Sequence, residues 1–182
     1  MKAAVIDEFG PSTNLQVRDI PKPSIEPGQI MVEVHAASVN PIDWKIGAGL
    51  MGDRYGDEFP MVLGLDASGV VVEVGADVTE FAVGDEVYAR SDNGAGQCYA
   101  EYVALNPRTV ALKPAGLSHV EAAAMPLAAL TPLVGLRDCG HLKPGDRVLI
   151  IGASGGVGVF AMQIARIMGA EVTAVCSTAN ID

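Results

Sequence analysis

Arg147-Val148-Leu149-Ile150-Ile151-Gly152-Ala153-Ser154-Gly155-Gly156-Val157-Gly158 is the part of the chain from which the rest is best read. Arg147 to Ile151 is short, apolar and rich in β-branched residues, the composition of a buried parallel strand. Val159 to Met168 follows as a helix whose strongly polar residues, Gln163 and Arg166, share one face. Gly169 supplies a helix stop, and Glu171 to Cys176 reads as a second strand. Strand, glycine turn, helix and strand fit within about thirty residues, the size of one right-handed βαβ unit.

That context gives the glycines a chemical reading. A phosphate-binding turn needs glycine where the chain reverses, where backbone approaches a diphosphate, and where helix packs on strand. Amides at the helix start then point at the phosphates, in the favourable field of the helix dipole. Gly155 and Gly158 have the spacing of the second and third glycines of G-x-G-x-x-G, while Ala153 stands at the first and Gly152 one residue earlier. The run is a variant of that pattern. Nucleotide binding and a tight turn without a ligand both remain readings of it, and the surrounding unit favours the first.

Composition narrows the field. Of the 182 residues, 49% are apolar, enough for a real core and too many for a disordered chain. Twelve basic against twenty-two acidic side chains give a net charge of −10 without a basic stripe, so neither nucleic acid nor an anionic membrane is an expected partner. Val120 to Leu136 is nearly apolar but holds Glu121, Pro126 and Pro132, which does not read as a membrane span. Acidic residues follow the N-terminus too closely for a signal peptide. Cys98, Cys139 and Cys176 form no C-x-x-C pair, which suits a reducing cytosol and a cytoplasmic location.

To about Lys113 the chain is β-rich. Strands are expected at Lys2 to Ile6, Leu15 to Ile20, Gln29 to Ala37, Asp66 to Val74 with a bulge at Gly69, Asp85 to Ala89, Tyr99 to Ala104 and Thr109 to Leu112. Many short strands separated by turns predict a compact, barrel-like β domain. From about Pro114 the character is helical. Ser118 and Glu121 make a capping box, Pro126 and Pro132 predict breaks, and Gly135 to Cys139 completes the stretch.

This order of parts resembles the medium-chain dehydrogenase/reductase superfamily. The resemblance runs through Met1-Lys2-Ala3-Ala4, Pro27 to Val34, Ala37-Ser38-Val39-Asn40-Pro41-Ile42-Asp43, Gly64 to Val71, Val83 to Tyr88 and Ala122 to Thr131. It implies a β-rich GroES-like substrate and catalytic domain over 1–125, followed over 126–182 by the first βαβ unit of an α/β Rossmann domain. The branch it is most similar to is that of the zinc-independent quinone oxidoreductases and enoyl reductases. Zinc members of the superfamily place a cysteine where this chain has Asn40, and a histidine within Gly-His-Glu where it has Gly64-Leu65-Asp66. Leu65 cannot coordinate, and His35, His119 and His141 show no ligand spacing, so no metal is expected.

Without a Lewis acid, an already polarised acceptor is the easier substrate. A small-molecule quinone or enone takes hydride at carbon, and hydrogen bonds stabilise the charge on its oxygen. Asn40 and Tyr55 are the candidate catalytic donors; the bland readings are a turn residue before Pro41 and a mobile surface tyrosine. Asp43 and Asp66 are expected to cap or brace loops. The resemblance assigns the cofactor to Gly152, Ala153, Ser154, Gly155, Gly156, Val157 and Gly158, and places Thr131 toward the nicotinamide, with a helix-end cap as its alternative. Glu171 begins the second strand, the wrong end for a carboxylate on the ribose; at the proper end stand Ser177 and Thr178, which are compatible with NADPH. The cofactor expected is therefore NADP(H). The chain stops at Asp182, soon after the second strand, so an N-terminal portion of a longer reductase is expected, inactive alone, with a homodimer as the candidate assembly of the complete protein. A metal-independent alcohol or aldehyde reductase and a non-catalytic GroES-like binding module are the alternatives.

Overall fold

The computed structural model describes residues 1–51 and 54–181, so the expected stop at Asp182 lies outside the described residues. The chain forms two compact units, Met1–Pro126 and Leu127–Asp182.

In the first unit the elements run β1 (Lys2–Ile6), β2 (Gln16–Asp19), β3 (Ile30–Ala37), α1 (Pro41–Gly47), β4 (Met61–Val62), β5 (Asp66–Val74), β6 (Glu86–Arg90), β7 (Tyr102–Leu105), β8 (Val110–Leu112) and α2 (His119–Ala123). One antiparallel sheet has the order β7-β3-β5-β6-β8, and a second has the order β2-β1-β4. The sheets meet at Tyr99–Glu101, where the Ala4 N–H donates to the Tyr99 carbonyl at 2.8 Å and the Val34 N–H to the Glu101 carbonyl at 2.8 Å. The period-two pattern explains the core. Ile30 and Val32 turn the same way as Ala67, Val71, Val87, Ala89, Val103 and Leu105, and all are buried. Each such aliphatic side chain larger than alanine contributes about 1.5–3 kcal/mol.

The expected strands are present, with ends displaced by a few residues where ladder bonds stop. Tyr99 and Ala100, for example, leave β7, which begins at Tyr102. The bulge expected in β5 at Gly69 is corrected: Gly69 stays paired with Val34, the extra residue opposite it is His35 of β3, and β5 has its own irregularity at Val72. Helix α1 was not foreseen. Its signals are all there, with Asn40 as N-cap, Pro41 at the first helical position and Asp43 at the third, but seven residues are too few for a periodic pattern.

The second unit holds α3 (Pro126–Leu133, whose first residue belongs to the preceding unit), a π-helical turn Val134–Cys139, β9 (Arg147–Ile151), α4 (Gly156–Ile167) and β10 (Glu171–Val175). The expected breaks appear at both prolines. Pro126 opens α3 after α2 has ended, and beyond Pro132 the helix widens, so that the Gly140 N–H reaches the Gly135 carbonyl at 2.9 Å. Strands β9 and β10 are parallel and in register from Arg147 opposite Glu171 to Ile151 opposite Val175. Helix α4 lays Ala161 and Ala165 on Ile150 and Ala153, leaving Gln163 and Arg166 in solvent. It begins three residues before the expected Val159, because a glycine-rich first turn hides its start from propensity.

Candidate functional site

The turn between β9 and α4 is built by backbone bonding. Gly152 adopts φ +78°, open to glycine at little cost. Its N–H and that of Ala153 both donate to the Val175 carbonyl, at 2.9 and 3.0 Å, which lashes the turn to the end of β10. The Gly155 N–H donates to the Gly152 carbonyl at 3.0 Å. Gly158 needs to be glycine because a Cβ there would lie 2.2 Å from the Gly152 oxygen and 2.7 Å from Ala153 Cα. Helix and loop touch through it.

These bonds bear on the assignment of the cofactor to Gly152 through Gly158, because not every amide of the run is open to a ligand. Those of Gly152, Ala153 and Gly155 are consumed inside the protein. Gly156, Val157 and Gly158 form the first turn of α4, ahead of its first regular bond from the Val159 N–H to the Gly155 carbonyl at 2.9 Å. Such first-turn amides have no acceptor one turn back, and the N-cap Gly155 has no side chain to supply one. An anion at this helix end would meet those three donors and the positive end of the dipole.

Beside them lies a hydroxyl-lined edge. Asn180 Nδ2 donates to Ser177 Oγ at 3.0 Å and to Ser154 Oγ at 3.3 Å, joining the glycine turn to the segment after β10. Thr178 opens the 3-10 turn Thr178–Asn180 within that segment. No carboxylate occurs among Cys176-Ser177-Thr178-Ala179-Asn180. Asn180 was missed as a bridging residue, since a contact across twenty-six positions leaves no local signal. Thr131 sits inside α3 rather than at its end, with its hydroxyl bonded back to the Leu127 carbonyl at 2.7 Å.

The first unit holds the other candidates. Asn40 is buried, and its side-chain Nδ2 donates to Asp66 Oδ2 at 3.0 Å and to Ser38 Oγ at 3.1 Å. Both amide hydrogens are committed, so the donor role expected of Asn40 toward a substrate oxygen is corrected: in this arrangement it caps α1 and ties it to β5. Asp43 completes the cap, its Oδ2 accepting from the Asn40 N–H at 2.7 Å and from the Tyr99 hydroxyl at 2.9 Å. Burial raises the Asp43 carboxyl above its ordinary range, against the lowering effect of those hydrogen bonds. Burial and the neighbouring carboxylates likewise push the Tyr99 phenol and the fully buried Cys98 thiol well up. Leu65, fully buried, lies beside this cluster in sequence, and among the described residues no three His, Cys, Asp or Glu side chains converge as metal ligands.

Tyr55 is not a surface residue: 9% of it is exposed, in the wall of a cavity of ≈ 540 Å³ shared with Arg54, Pro60, Met61, Gln97 and Tyr102. The Arg54 guanidinium lies 5.6 Å from the Tyr55 ring centroid. Asn40 does not line this cavity.

Residues 26–115 match the family described as alcohol dehydrogenase GroES-like domain. The mitochondrial NAD(P)H oxidoreductase RTN4IP1 of Mus musculus is 41% identical over 97% of this chain and 49% of its own length. The chloroplastic quinone-oxidoreductase homolog of Spinacia oleracea is 35% identical over 100% of this chain and 57% of its own. Among solved structures, the quinone oxidoreductase of Coxiella burnetii superposes with a TM-score of 0.91 at 40% identity, over 99% of this chain and 57% of that one. The chain belongs to the medium-chain dehydrogenase/reductase superfamily. A second superfamily structure, the Escherichia coli quinone oxidoreductase complexed with NADPH, superposes with a TM-score of 0.87 at 31% identity, over 98% of this chain and 53% of that one. The chain spans about half the length of the curated superfamily members it matches.

Proposed function

We propose that this chain supplies the GroES-like domain and the opening βαβ unit of an NADPH-dependent, zinc-independent oxidoreductase that passes hydride to a quinone or an α,β-unsaturated carbonyl. The observation that carries the reading is the first turn of α4, where Gly156, Val157 and Gly158 present amides beside the hydroxyls of Ser154 and Ser177. Those amides would hold the diphosphate, and Ser154, Ser177 and Thr178 would face the adenosine end, with no carboxylate to repel a 2′-phosphate. The nicotinamide, when bound, supplies the hydride. The task left to the protein is orientation and donation to the oxygen on which charge develops, for which the Tyr55 hydroxyl is the candidate. Leu65, where zinc relatives need an imidazole, supports a reaction without metal. Relatives named as quinone and NAD(P)H oxidoreductases support the same class.

The test is a titration of the isotopically labelled chain with NADPH, followed by amide resonances. Shifts centred on Gly156, Val157 and Gly158, with a lower dissociation constant than for NADH, are expected. Unmoved amides in that turn would remove the nucleotide site, and tighter NADH would reverse the cofactor preference. These 182 residues alone are expected to bind weakly and to turn over negligibly, so brisk quinone reduction by them would refute that part. In an acceptor panel, aldehyde reduction without quinone or enone reduction would move the reading to a metal-independent aldehyde reductase.

A further inference from the structure

Ser154 of the glycine turn and Ser177 after β10 are tied to one side chain. Asn180 Nδ2 donates to Ser177 Oγ at 3.0 Å and to Ser154 Oγ at 3.3 Å. The asparagine is itself held: its N–H donates to the Ser177 carbonyl at 2.9 Å, and the Cys176 thiol donates to the Asn180 carbonyl at 3.2 Å. The segments that carry the two serines are fixed to each other as well, since the Gly152 and Ala153 amides both end on the Val175 carbonyl. Asn180 therefore clips together the segments that follow β9 and β10. It is set by hydrogen bonds rather than by burial, because Ser154, Ser177 and Asn180 are all exposed.

The direction of these bonds decides what the serines can offer. An amide NH2 has two hydrogens to give, and a hydroxyl has one hydrogen besides its acceptor sites. Each serine spends an acceptor site on Asn180 and keeps its O–H, and neither O–H has an acceptor among the described residues. Both are left as donors. A carboxylate in place of the amide would turn both hydroxyls inward and consume them. Donors at this edge suit an anion, since a hydrogen bond to an ionised acceptor is about twice as strong as a neutral one. From Ile167 to Asp182 the sequence holds no lysine or arginine, so within this segment that task falls to neutral groups.

We propose that Asn180 is the positioning residue that sets the preference for NADPH, by holding Ser154 and Ser177 as hydroxyl donors for the 2′-phosphate. This deepens the reductase reading, on which it rests, by naming the side chain on which cofactor choice turns. Asn180 acts through the two serines, so its effect exists only while their hydroxyls are present.

The experiment measures dissociation constants for NADPH and NADH on the labelled 182-residue chain, from the amide shifts of Gly156, Val157 and Gly158. Asn180→Ala should narrow the preference for NADPH by about fivefold, the size of one oriented hydrogen bond, with NADH affinity unchanged. Asn180→Asp keeps the shape and reverses the bonds. It should favour NADH by about tenfold, because a carboxylate repels the phosphate and accepts from a ribose hydroxyl. In a Ser154→Ala/Ser177→Ala background, Asn180→Ala should change neither constant further. An unchanged ratio of the two constants in Asn180→Asp would overturn the proposal. So would an equal loss of both nucleotides in Asn180→Ala, or an Asn180→Ala effect that persists in full without the two serine hydroxyls. Absence of shifts with either nucleotide in the unsubstituted chain would instead mark failure of the reductase reading, and of this proposal with it.

Discussion

Replacing Gly158 by alanine tests how closely the phosphate-binding turn is held. The new Cβ would stand 2.2 Å from the Gly152 oxygen and 2.7 and 2.8 Å from Cα and C of Ala153. All three are backbone atoms, so no side chain can swing aside. The turn cannot retreat freely either, because the Gly152 and Ala153 amides are bonded to Val175. Relief therefore has to come from lifting α4 off the strands or loosening those two bonds. Overpacking of this kind costs about 1–3 kcal/mol, and with backbone on every side the upper part, about 2–3 kcal/mol, applies. That energy corresponds to roughly 30- to 150-fold faster exchange of amides that open with this unit. Gly156→Ala is the control: its Cβ meets nothing within 4 Å and its position is helical, so about 0.5–1 kcal/mol of stabilisation is expected. Hydrogen exchange resolved over β9 and β10 gives the readout, with β3 and β5 as the internal reference. Unchanged exchange in Gly158→Ala, or equal acceleration in Gly156→Ala, would refute the close-packing account.

Asp43→Ala should destabilise the first unit by about 2–4 kcal/mol, since the buried Asn40 N–H and Tyr99 hydroxyl lose their shared acceptor. Asp43→Asn, which keeps an oxygen there and removes a buried charge, should cost much less; urea midpoints compare them. His119 gives a pH test. Its Nδ1 contacts Ser68 Oγ at 2.8 Å, and since that hydroxyl already donates to the Val87 carbonyl, Nδ1 carries the proton. Burial first, then the His35 ring 4.6 Å away and Lys113, lower the His119 pKa from 6.5, with Glu86 at 3.2 Å opposing. The unfolded chain therefore protonates first, so this contribution to stability is complete above the ordinary value and fades as pH falls below it. A proton-resonance titration of His119 with a midpoint above 6.5 would reverse the sign. Iodoacetamide should label the exposed Cys139 rapidly and Cys98 only on unfolding, because burial holds that thiol protonated; peptide mapping distinguishes them.

Much of the architecture could be read along the chain because it rests on local pattern. Period-two alternation from Ile30 to Val34, the apolar run of β9 and the Ser118–Glu121 box each encode an element within a few residues. The glycine-rich turn and the strands around it announced the βαβ unit in the same way. What a residue does at a site depended instead on partners far along the chain. Asn40 looked like a donor until Asp66, twenty-six residues on, took one of its hydrogens. Gly152 and Ala153 looked like phosphate ligands until the Val175 carbonyl claimed both amides. Tyr55 could be read as a donor or as a mobile surface residue until the fold left only 9% of it exposed. Local sequence determines which conformations a segment prefers, but a hydrogen bond has one donor to give, and only the folded chain decides which acceptor receives it.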